Sequence, residues 1–342
     1  MSGGRTMRGS GRPTMNDVAA AAGVSLKTVS RVINAEPNVD PALADRVREA
    51  IDRLGYHRNA LAASLRSGTN DTIGFLAADL SNSFSMGIAA AVSAVASQRG
   101  LHVLMASSEE DPAVERRLAL DLCQRRVGGL ILVPAATDHG YLAPEVAHGT
   151  PVVFLDRPGD GIPADTVLLD NRGGARAAVA ELLGGHERIG LLLDATEIYT
   201  MRERLAGAEE AFAAAGRALD PSLLITGIHT PQDAAAATAR LLDGPRPPTA
   251  LFCGNNRATV GALEELTRRD ADVAVTGFDD FELSWMLPRP LRVVAYDVAA
   301  LGALAATTLL DRIAGDAAAP PALHLVPTTL VDRGGRQRTP TG

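Results

Sequence analysis

The sequence contains few aromatic residues, two cysteines and a single lysine. Phe, Trp and Tyr together make up 4% of the 342 residues, whereas alanine is abundant, which points to many tightly packed helices. Cys123 and Cys253 lie far apart in apolar surroundings, so they provide neither a CxxC metal pattern nor a disulfide framework. We expect two buried thiols in a reducing cytoplasm.

Long apolar runs are also missing. No segment reaches the roughly 20 apolar residues that a membrane-spanning helix requires, and the first residues, MSGGRTMRGSGRPTM, lack the apolar core of a signal peptide. The sequence therefore predicts a cytoplasmic protein with no membrane partner. Because 46% of the residues are hydrophobic and 21% are charged, the chain can bury a sizeable core, and its length predicts two domains with a small third.

Positive charge is scarce over the whole chain but not near its N-terminus. The formal net charge is −7, from 33 basic and 40 acidic residues, which taken alone argues against a nucleic-acid partner. Residues 1–70, however, carry ten basic and six acidic side chains, a balance of +4 that leaves −11 for the remainder. A basic DNA-contacting module on an acidic body would produce this asymmetry.

The start of this basic region predicts two short helices joined by a tight turn. Thr14 and Asp17 form a capping-box start for the first helix, and Gly23 ends it. Ser25 is placed to cap a second helix, Leu26–Ile33. A third helix follows, with an Asp-Pro start, apolar residues at helical spacing and a glycine end.

The second helix has one apolar face and one polar, basic face. Its polar side chains are Lys27, Thr28, Ser30 and Arg31. A helix-turn-helix places such a helix in the major groove, where Lys27 and Arg31 can donate to guanine and the hydroxyls suit phosphate or base contacts. A solvated face that merely carries charge is the alternative, but the turn, the caps and the basic face together favour DNA binding.

Beyond residue 70 the pattern changes to short strands alternating with helices. About ten runs rich in Val, Ile and Leu, from Thr72–Ala77 to Arg292–Ala295, are separated by helical stretches. This alternation predicts βαβ units and a parallel sheet covered on both faces. Ten strands exceed one simple doubly wound sheet, so we expect an α/β body with two similar lobes.

The segment TMNDVAAAAGVSLKTVSRVIN, residues 14–34, resembles the N-terminal signature of the lactose/galactose repressor (LacI/GalR) family of bacterial transcription regulators. The resemblance extends over residues 14–332. It implies a homodimeric regulator, most often a repressor, that binds a roughly palindromic operator, with base readers at Leu26, Lys27 and Arg31. The full set of DNA contacts that it implies in this region is Asn16, Ser25, Leu26, Lys27, Thr28, Ser30, Arg31 and Asn34.

The segment NALAASL, residues 59–65, resembles the hinge helix of this family. The resemblance gives Leu65 the role of a wedge that opens a base step in the minor groove, with Asn59 and Ala62 near the DNA backbone. An ordinary linker leucine is the alternative. The family commonly has proline before the asparagine, where this chain has Arg58.

Four motifs of the body, VVFLDR, LDNRGGA, RERLAG and GFDDF, resemble the family's effector domain, which shares its fold with periplasmic sugar-binding proteins. The resemblance implies a small-molecule effector, a sugar or sugar derivative, bound between the lobes. The residues that it assigns to the effector are Asn82, Phe84, Asp156, Arg204, His229, Asn255, Asp279 and Tyr296. Among their neighbours, Asn171 and Asp280 are expected to act as caps, and Arg157 fits either role.

Departures from the family pattern leave the kind of effector open. Asn256 replaces a usual aspartate, Arg257 follows where an apolar residue is common, and His229 and Tyr296 stand where the family often has an aromatic residue and a glutamine. These changes weaken the case for a neutral sugar and leave a sugar phosphate, an acid sugar or another small metabolite open.

The predicted segments are a disordered basic tail (1–13), a helix-turn-helix domain (14–58), a hinge helix and linker (59–70), a two-lobed effector-binding and dimerisation domain (71–332) and a flexible tail (333–342). A transporter's solute-binding protein would fit the body, but the basic helix-turn-helix and the expected lack of a signal peptide count against it. An enzyme is disfavoured because P-loop, GxSxG, HExxH and strand-linked GxGxxG motifs are missing. No metal or other cofactor is expected.

Overall fold

The computed structural model describes residues 13–34, 36–37, 39–56, 71–315 and 319–335. The chain divides into two compact units, Met1–Thr69 and Asn70–Gly342, here termed the head and the body. The predicted hinge, with Asn59, Ala62 and Leu65, lies outside the described residues, as do residues 1–12 and 336–342.

The described part of the head consists of three helices, α1 (Met15–Ala22), α2 (Leu26–Ile33) and α3 (Pro41–Leu54). The expected caps are confirmed. Thr14 and Asp17 form a reciprocal capping box on α1, and Gly23 ends that helix with a φ of 63°, in the left-handed region that glycine adopts without strain. Seven residues form the buried core of the head: Val18, Ala19, Ala22, Val29, Val47, Ala50 and Tyr56.

The body has two lobes, each built around a six-stranded sheet. The first lobe contains β1 (Thr72–Ala77), α4 (Ser83–Gln98), β2 (His102–Ser107), α5 (Pro112–Gln124), β3 (Leu130–Leu132), α6 (Ala143–Ala147), β4 (Val152–Leu155), β5 (Asp165–Leu169), α11 (Val298–Ala314) and β11 (Leu323–Val326). The second lobe contains α7 (Asn171–Gly185), β6 (Ile189–Leu192), α8 (Tyr199–Ala214), β7 (Leu224–Ile225), α9 (Pro231–Leu242), β8 (Ala250–Cys253), α10 (Asn256–Arg268), β9 (Ala274–Phe278), β10 (Pro290–Ala295) and β12 (Thr329–Gly334).

The strand orders of the two sheets are β11–β5–β4–β3–β1–β2 and β12–β10–β9–β8–β6–β7. Every pair in the first sheet is parallel, and in the second sheet only β12 runs antiparallel, against β10. The chain passes between the lobes three times, after β5, after β10 and after β11. These crossings form the hinge region of the body, and helices cover both faces of each sheet.

All ten predicted strands are present, and two further strands, β11 and β12, were not predicted. β11 has the sequence LHLV with Leu323 and Leu325 67% and 59% exposed, so its residues do not form the buried apolar run found in most of the predicted strands. β12 continues to Gly334, two residues past the boundary expected at residue 332. The α/β fold with two parallel-sheet lobes is therefore confirmed.

Both cysteines are buried and free, as expected. Burial raises the pKa of Cys123 to about 11 and that of Cys253 to about 12. Within the described ranges, no helix is long and apolar enough to cross a membrane, and no group of three or more His, Cys, Asp or Glu side chains is placed to hold a metal ion.

Candidate functional site

The outward face of α2 carries the side chains predicted to read DNA. Val29 is fully buried, so Lys27, two residues before it, faces solvent, and Leu26, the first residue of the helix, is 47% exposed. The Ser25 hydroxyl caps the helix by accepting a hydrogen bond from the Thr28 backbone N–H at 3.1 Å. The first turn of α2 is thus capped and exposed to solvent, as a helix that reads DNA requires.

Two other predicted DNA contacts have partners inside the head. Arg31 Nε donates to Glu36 Oε2 at 3.3 Å, and its Nη2 donates to the Pro37 carbonyl at 3.0 Å. Asn34 Nδ2 lies 3.4 Å from Ser30 Oγ. Base reading by Arg31 would require an exchange of these partners for DNA. Base reading by Arg31 therefore stays a prediction. The same holds for the other seven DNA contacts predicted in residues 14–34, among them Asn16, which lies exposed on α1.

Two arginines of α3 stabilise the head itself, which the sequence analysis did not foresee. Arg46 Nη2 donates to the Ala22 carbonyl at 2.5 Å, and Arg53 Nη2 donates to the Ala21 carbonyl at 3.3 Å. These bonds satisfy carbonyls left open at the C-terminal end of α1, where a positive charge is also favoured. Part of the basic charge of the head therefore serves internal structure.

In the body, a polar cleft lies between the lobes, where the carboxyl ends of both sheets meet. The space between its walls is about 750 Å³ when the part open to solvent is included. All eight predicted effector residues line it: Asn82, Phe84, Asp156, Arg204, His229, Asn255, Asp279 and Tyr296. The structure brings them together, while their contact with an effector stays a prediction.

Arg204 is the centre of a buried network on the second lobe's wall. Its Nε donates to Asn171 Oδ1 at 2.8 Å, and its Nη1 donates to the Gly254 carbonyl at 2.6 Å. Its two terminal nitrogens also bind the Asp279 carboxylate, at 3.0 and 3.2 Å. Sequence predicts Asn171 as a helix cap, but Asp170 caps α7 and Asn171 orients Arg204 instead.

Tyr296 joins this network to the first lobe. Its hydroxyl donates to Asp279 Oδ1 at 2.8 Å, and its ring meets the Phe84 ring edge-on, with centroids 5.9 Å apart. Burial and the adjacent Asp279 carboxylate raise the pKa of Tyr296 well above its usual value. The phenol therefore stays protonated and acts as a fixed hydrogen-bond donor at one of the chain crossings.

Asp156 and Asp279 occupy equivalent places in the two lobes. Each directly follows a central strand, β4 or β9, and each has a positive φ, of 67° and 70°. Aspartate tolerates this left-handed conformation better than most residues, and such strain is common at functional sites. Asp279 is paired with Arg204, whereas burial raises the pKa of Asp156, whose nearest cationic nitrogen, Arg157 Nε, is 3.8 Å away.

The first lobe's wall is fixed by a second arginine. Arg157 Nη1 and Nη2 each donate to the Glu110 carboxylate at 2.6 Å, and Nη1 also reaches the Pro134 carbonyl at 3.1 Å. Behind this wall, the buried Glu115 carboxylate accepts hydrogen bonds from the backbone N–H groups of Ala135 and Ala136. The loops after β2, β3 and β4 are thereby held together.

The remaining predicted residues border the cleft with mixed roles. Asn82 and Asn255 are the N-caps of α4 and α10, so part of their hydrogen-bonding capacity is used by the backbone. His229 Nδ1 lies 3.2 Å from Asp194 Oδ2, and the His229 side chain is largely exposed. Asp280, expected as a cap, bonds the Phe281 backbone N–H and the Ser284 hydroxyl outside the cleft lining.

Several charged cleft residues stand outside the predicted effector set: Asp79, Glu110, Asp194 and Arg257, together with Arg157, for which the prediction left both roles open. A simple signal could have found two of them. Asp79 and Asp194 follow β1 and β6 by two residues, and the carboxyl ends of parallel strands are where α/β proteins place ligands. Glu110 and the two arginines carry no such local signal, because only tertiary pairing shows their role.

These features define a class of protein, a helix-turn-helix transcriptional regulator whose second unit is built to enclose a small molecule. The family model for bacterial regulatory proteins of the lacI family matches residues 14–59, and the model for a periplasmic binding protein-like domain matches residues 182–335. Together with the relative described next, these matches show that the chain belongs to the lacI family of bacterial regulatory proteins.

Similarity to individual proteins extends over almost the whole chain. The HTH-type transcriptional regulator CelR of Thermobifida fusca is 33% identical over 337 residues, which cover 95% of this chain and 98% of the relative. A solved CelR–cellobiose complex matches with 31% identity and a TM-score of 0.68, covering 95% and 100% of the two chains. The lac repressor dimer bound to operator and the anti-inducer ONPF matches with 27% identity and a TM-score of 0.83, covering 94% and 98%.

These relatives support a DNA-binding regulator over the alternative of a transporter's solute-binding protein. They are regulators of transcription and not enzymes.

Proposed function

We propose that this regulator represses transcription as a homodimer and is controlled by a neutral carbohydrate bound in the cleft. The observation that carries the choice of effector is the pairing of charges on the cleft walls. Each cleft arginine already has a carboxylate partner: Arg157 pairs with Glu110, Arg204 with Asp279 and Arg257 with Asp79.

Two further carboxylates, Asp156 and Asp194, remain after these pairs are formed. Asp194 has His229 at 3.2 Å, and Asp156 has only the already paired Arg157, at 3.8 Å. The cleft lining therefore holds five carboxylates and three arginines, and each of these arginines is already paired. An anionic sugar phosphate or sugar acid would bring a charge of the same sign into a partly buried site, which is costly.

A neutral polyhydroxyl molecule fits the same groups. Carboxylates accept hydrogen bonds from hydroxyls, and the Phe84 ring beside Tyr296 offers an apolar surface for the C–H face of a sugar. The CelR–cellobiose complex provides a precedent for such an effector among related chains. Arg257 and His229, which weakened this interpretation when only the sequence was considered, are both engaged by carboxylates.

For DNA, we propose that α2 reads the operator through Leu26, Lys27 and Arg31, and that the phosphates are bound by neighbouring polar groups at its start and end. Leu65 would add a minor-groove wedge. The lac repressor bound to its operator as a dimer supports this arrangement. Because the target is chromosomal DNA, we place the protein's action in the cytoplasm. We assign it no catalytic activity.

Thermal-shift measurements on the full-length chain test the effector. We expect a neutral mono- or disaccharide, with cellobiose in the first panel, to raise the melting temperature by roughly 5–10 °C at a concentration about 100 times its Kd, because a ligand stabilises only the folded state. The Asp156→Asn variant should lose most of this shift, and Asp243→Asn, an exposed control outside the cleft, should keep it. A shift with sugar phosphates or sugar acids but with no neutral sugar would contradict the proposal.

Footprinting of DNA around the protein's own gene tests the DNA-binding part. We expect protection of a pseudo-palindrome whose half-sites are about one helical turn apart, and release or tightening on addition of the effector. Failure to protect any such sequence would refute specific operator binding by the proposed dimer.

A further inference from the structure

Apart from the three chain crossings, the polar contacts between the lobes among the described residues join only two segments. One is residues 79–83, the loop after β1 with the first residue of α4, and the other is the start of α10, residues 256–257. Arg257 Nη2 donates to Asp79 Oδ2 at 2.6 Å and to Ser81 Oγ at 2.9 Å. Next to it, Asn256 Nδ2 lies 3.2 Å from Asn82 Oδ1.

Arg257 stands where a positive charge is unfavourable for its own helix. It is the second residue of α10, and a cation in the first turn opposes the helix dipole. Its compensation comes from the other lobe, since both of its side-chain partners belong to the loop after β1. Hydrogen bonds from Ser81 and Arg257 lower the pKa of Asp79 although burial acts to raise it, so this carboxylate stays charged at neutral pH.

The contact also lies far from the hinge. Three strand spacings separate β1 from the hinge strand β5, and two separate β8, which leads into α10, from the hinge strand β10. At about 4.8 Å per spacing, the contact lies roughly 10–14 Å from the crossings. An opening of the lobes by roughly 20° would then move its two sides about 4 Å apart and break a 2.6 Å ion pair.

We propose that Arg257 is a positioning residue that, with Asp79, latches the two lobes together and so sets the closure of the cleft without itself recognising the effector. The latch belongs to the cleft of the proposed function and rests on it. Effector and latch would act on one equilibrium between closed and open lobes, so the strength of the latch sets how far an effector shifts it.

The test is the distance between the lobes, measured by pulsed electron paramagnetic resonance on the full-length chain without effector or operator. Spin labels are attached to two cysteines introduced by Arg117→Cys in α5 and Ala236→Cys in α9. These two positions are exposed and lie on opposite lobes. The two native cysteines are buried with raised pKa values, so they react poorly with the label. Dilution with unlabelled protein limits the signal to pairs within one chain.

We expect a narrow distance distribution in the otherwise unchanged chain, and a broadened and shifted distribution in Arg257→Ala. Asp79→Asn should give the same change, and the exchanged pair Asp79→Arg with Arg257→Asp should restore the narrow distribution. Arg269→Ala is the matched control, because Arg269 pairs with Asp243 and Glu265 within the second lobe.

An unchanged distribution in both Arg257→Ala and Asp79→Asn would overturn the latch, and so would an equal change in Arg269→Ala. If Arg257→Ala does not fold, Asp79→Asn with the exchanged pair decides the question. Because the measurement needs neither sugar nor DNA, a failure of the latch is distinguishable from a failure of the proposed effector or operator.

Discussion

In the head, the first residues of α2, the proposed reading helix, lie exposed, whereas in the cleft most charged side chains pair with one another. Leu26 and Lys27 are exposed at the start of α2, and the fold of the head depends on buried residues such as Val29. Arg204, by contrast, is buried and makes four hydrogen bonds to three residues.

The difference follows from what each surface binds. DNA brings its own dense array of acceptors, so a reading helix needs rigid backbone and reachable side chains. A small ligand offers few contacts, so its site must be ordered in advance by the protein. We therefore expect substitutions of the exposed α2 side chains to weaken DNA binding without changing the stability of the fold. Substitutions of the cleft side chains should change both effector binding and stability.

The largest expected effect is on stability, from Arg204→Ala. Removal of the Arg204 guanidinium leaves Asp279 buried with only the Tyr296 hydroxyl as a side-chain partner. Breaking a buried ion pair in this way lowers the stability of the fold by about 3–5 kcal/mol. The free energy of unfolding of the body, measured by urea denaturation, should fall by that amount. Arg269→Ala, which removes a more exposed ion-pair cluster, should cost about 1 kcal/mol or less. Equal losses in the two variants would show that the Arg204 network has no special structural role.

Lys27→Ala should give the next largest effect, on DNA alone. Loss of a base contact weakens operator binding by about 1–3 kcal/mol, while unfolding should change by less than about 0.5 kcal/mol because the side chain is exposed. Binding to operator variants and to nonspecific DNA at several salt concentrations measures both effects. If all DNA is weakened equally and the salt dependence becomes shallower, Lys27 is a phosphate anchor and not a base reader.

The same contrast decides what could be predicted from the sequence. In the head, the caps at Thr14 and Ser25 accept hydrogen bonds from backbone groups only three residues away, so the local sequence indicates where the helices begin. In the cleft, Arg204 binds a carboxylate 75 residues away, and Asn256 binds Asn82 across 174 residues. No local pattern encodes such pairs.

Resemblance to a family placed eight residues on the cleft, but it could not show how they pair. Arg257 illustrates the limit, since as an added cation it pointed toward an anionic effector until its pairing with Asp79 removed that argument. Edge strand β11 was missed for a related reason. Its place in the sheet comes from pairing with β5, and its own residues carry no buried apolar run.

The smallest expected effect is on how stability changes with pH, and it has opposite signs for Asp156 and Asp165, two buried aspartates of the first lobe. Burial raises the pKa of Asp156, so its charged form opposes folding. The folded state gains relative stability as the pH falls toward that raised pKa. Asp156→Asn should then be more stable than the unchanged chain at pH 7, by about 1 kcal/mol or less, and this gain should shrink on acidification.

Asp165 provides the control of opposite sign. Burial acts to raise its pKa, but hydrogen bonds from Arg312 and the Ala322 backbone outweigh burial and lower it. Its charged form therefore stabilises the fold above the usual aspartate pKa, and this contribution is lost as the pH falls through the lowered value. Asp165→Asn should be less stable than the unchanged chain at pH 7, and that deficit should also shrink in acid. Urea denaturation at pH 7, 5 and 3 measures both variants, because the lowered pKa of Asp165 places its loss of stability below the usual aspartate pKa. A loss of stability in Asp156→Asn at pH 7 would mean that Arg157, 3.8 Å away, pairs with Asp156 strongly enough to offset its burial.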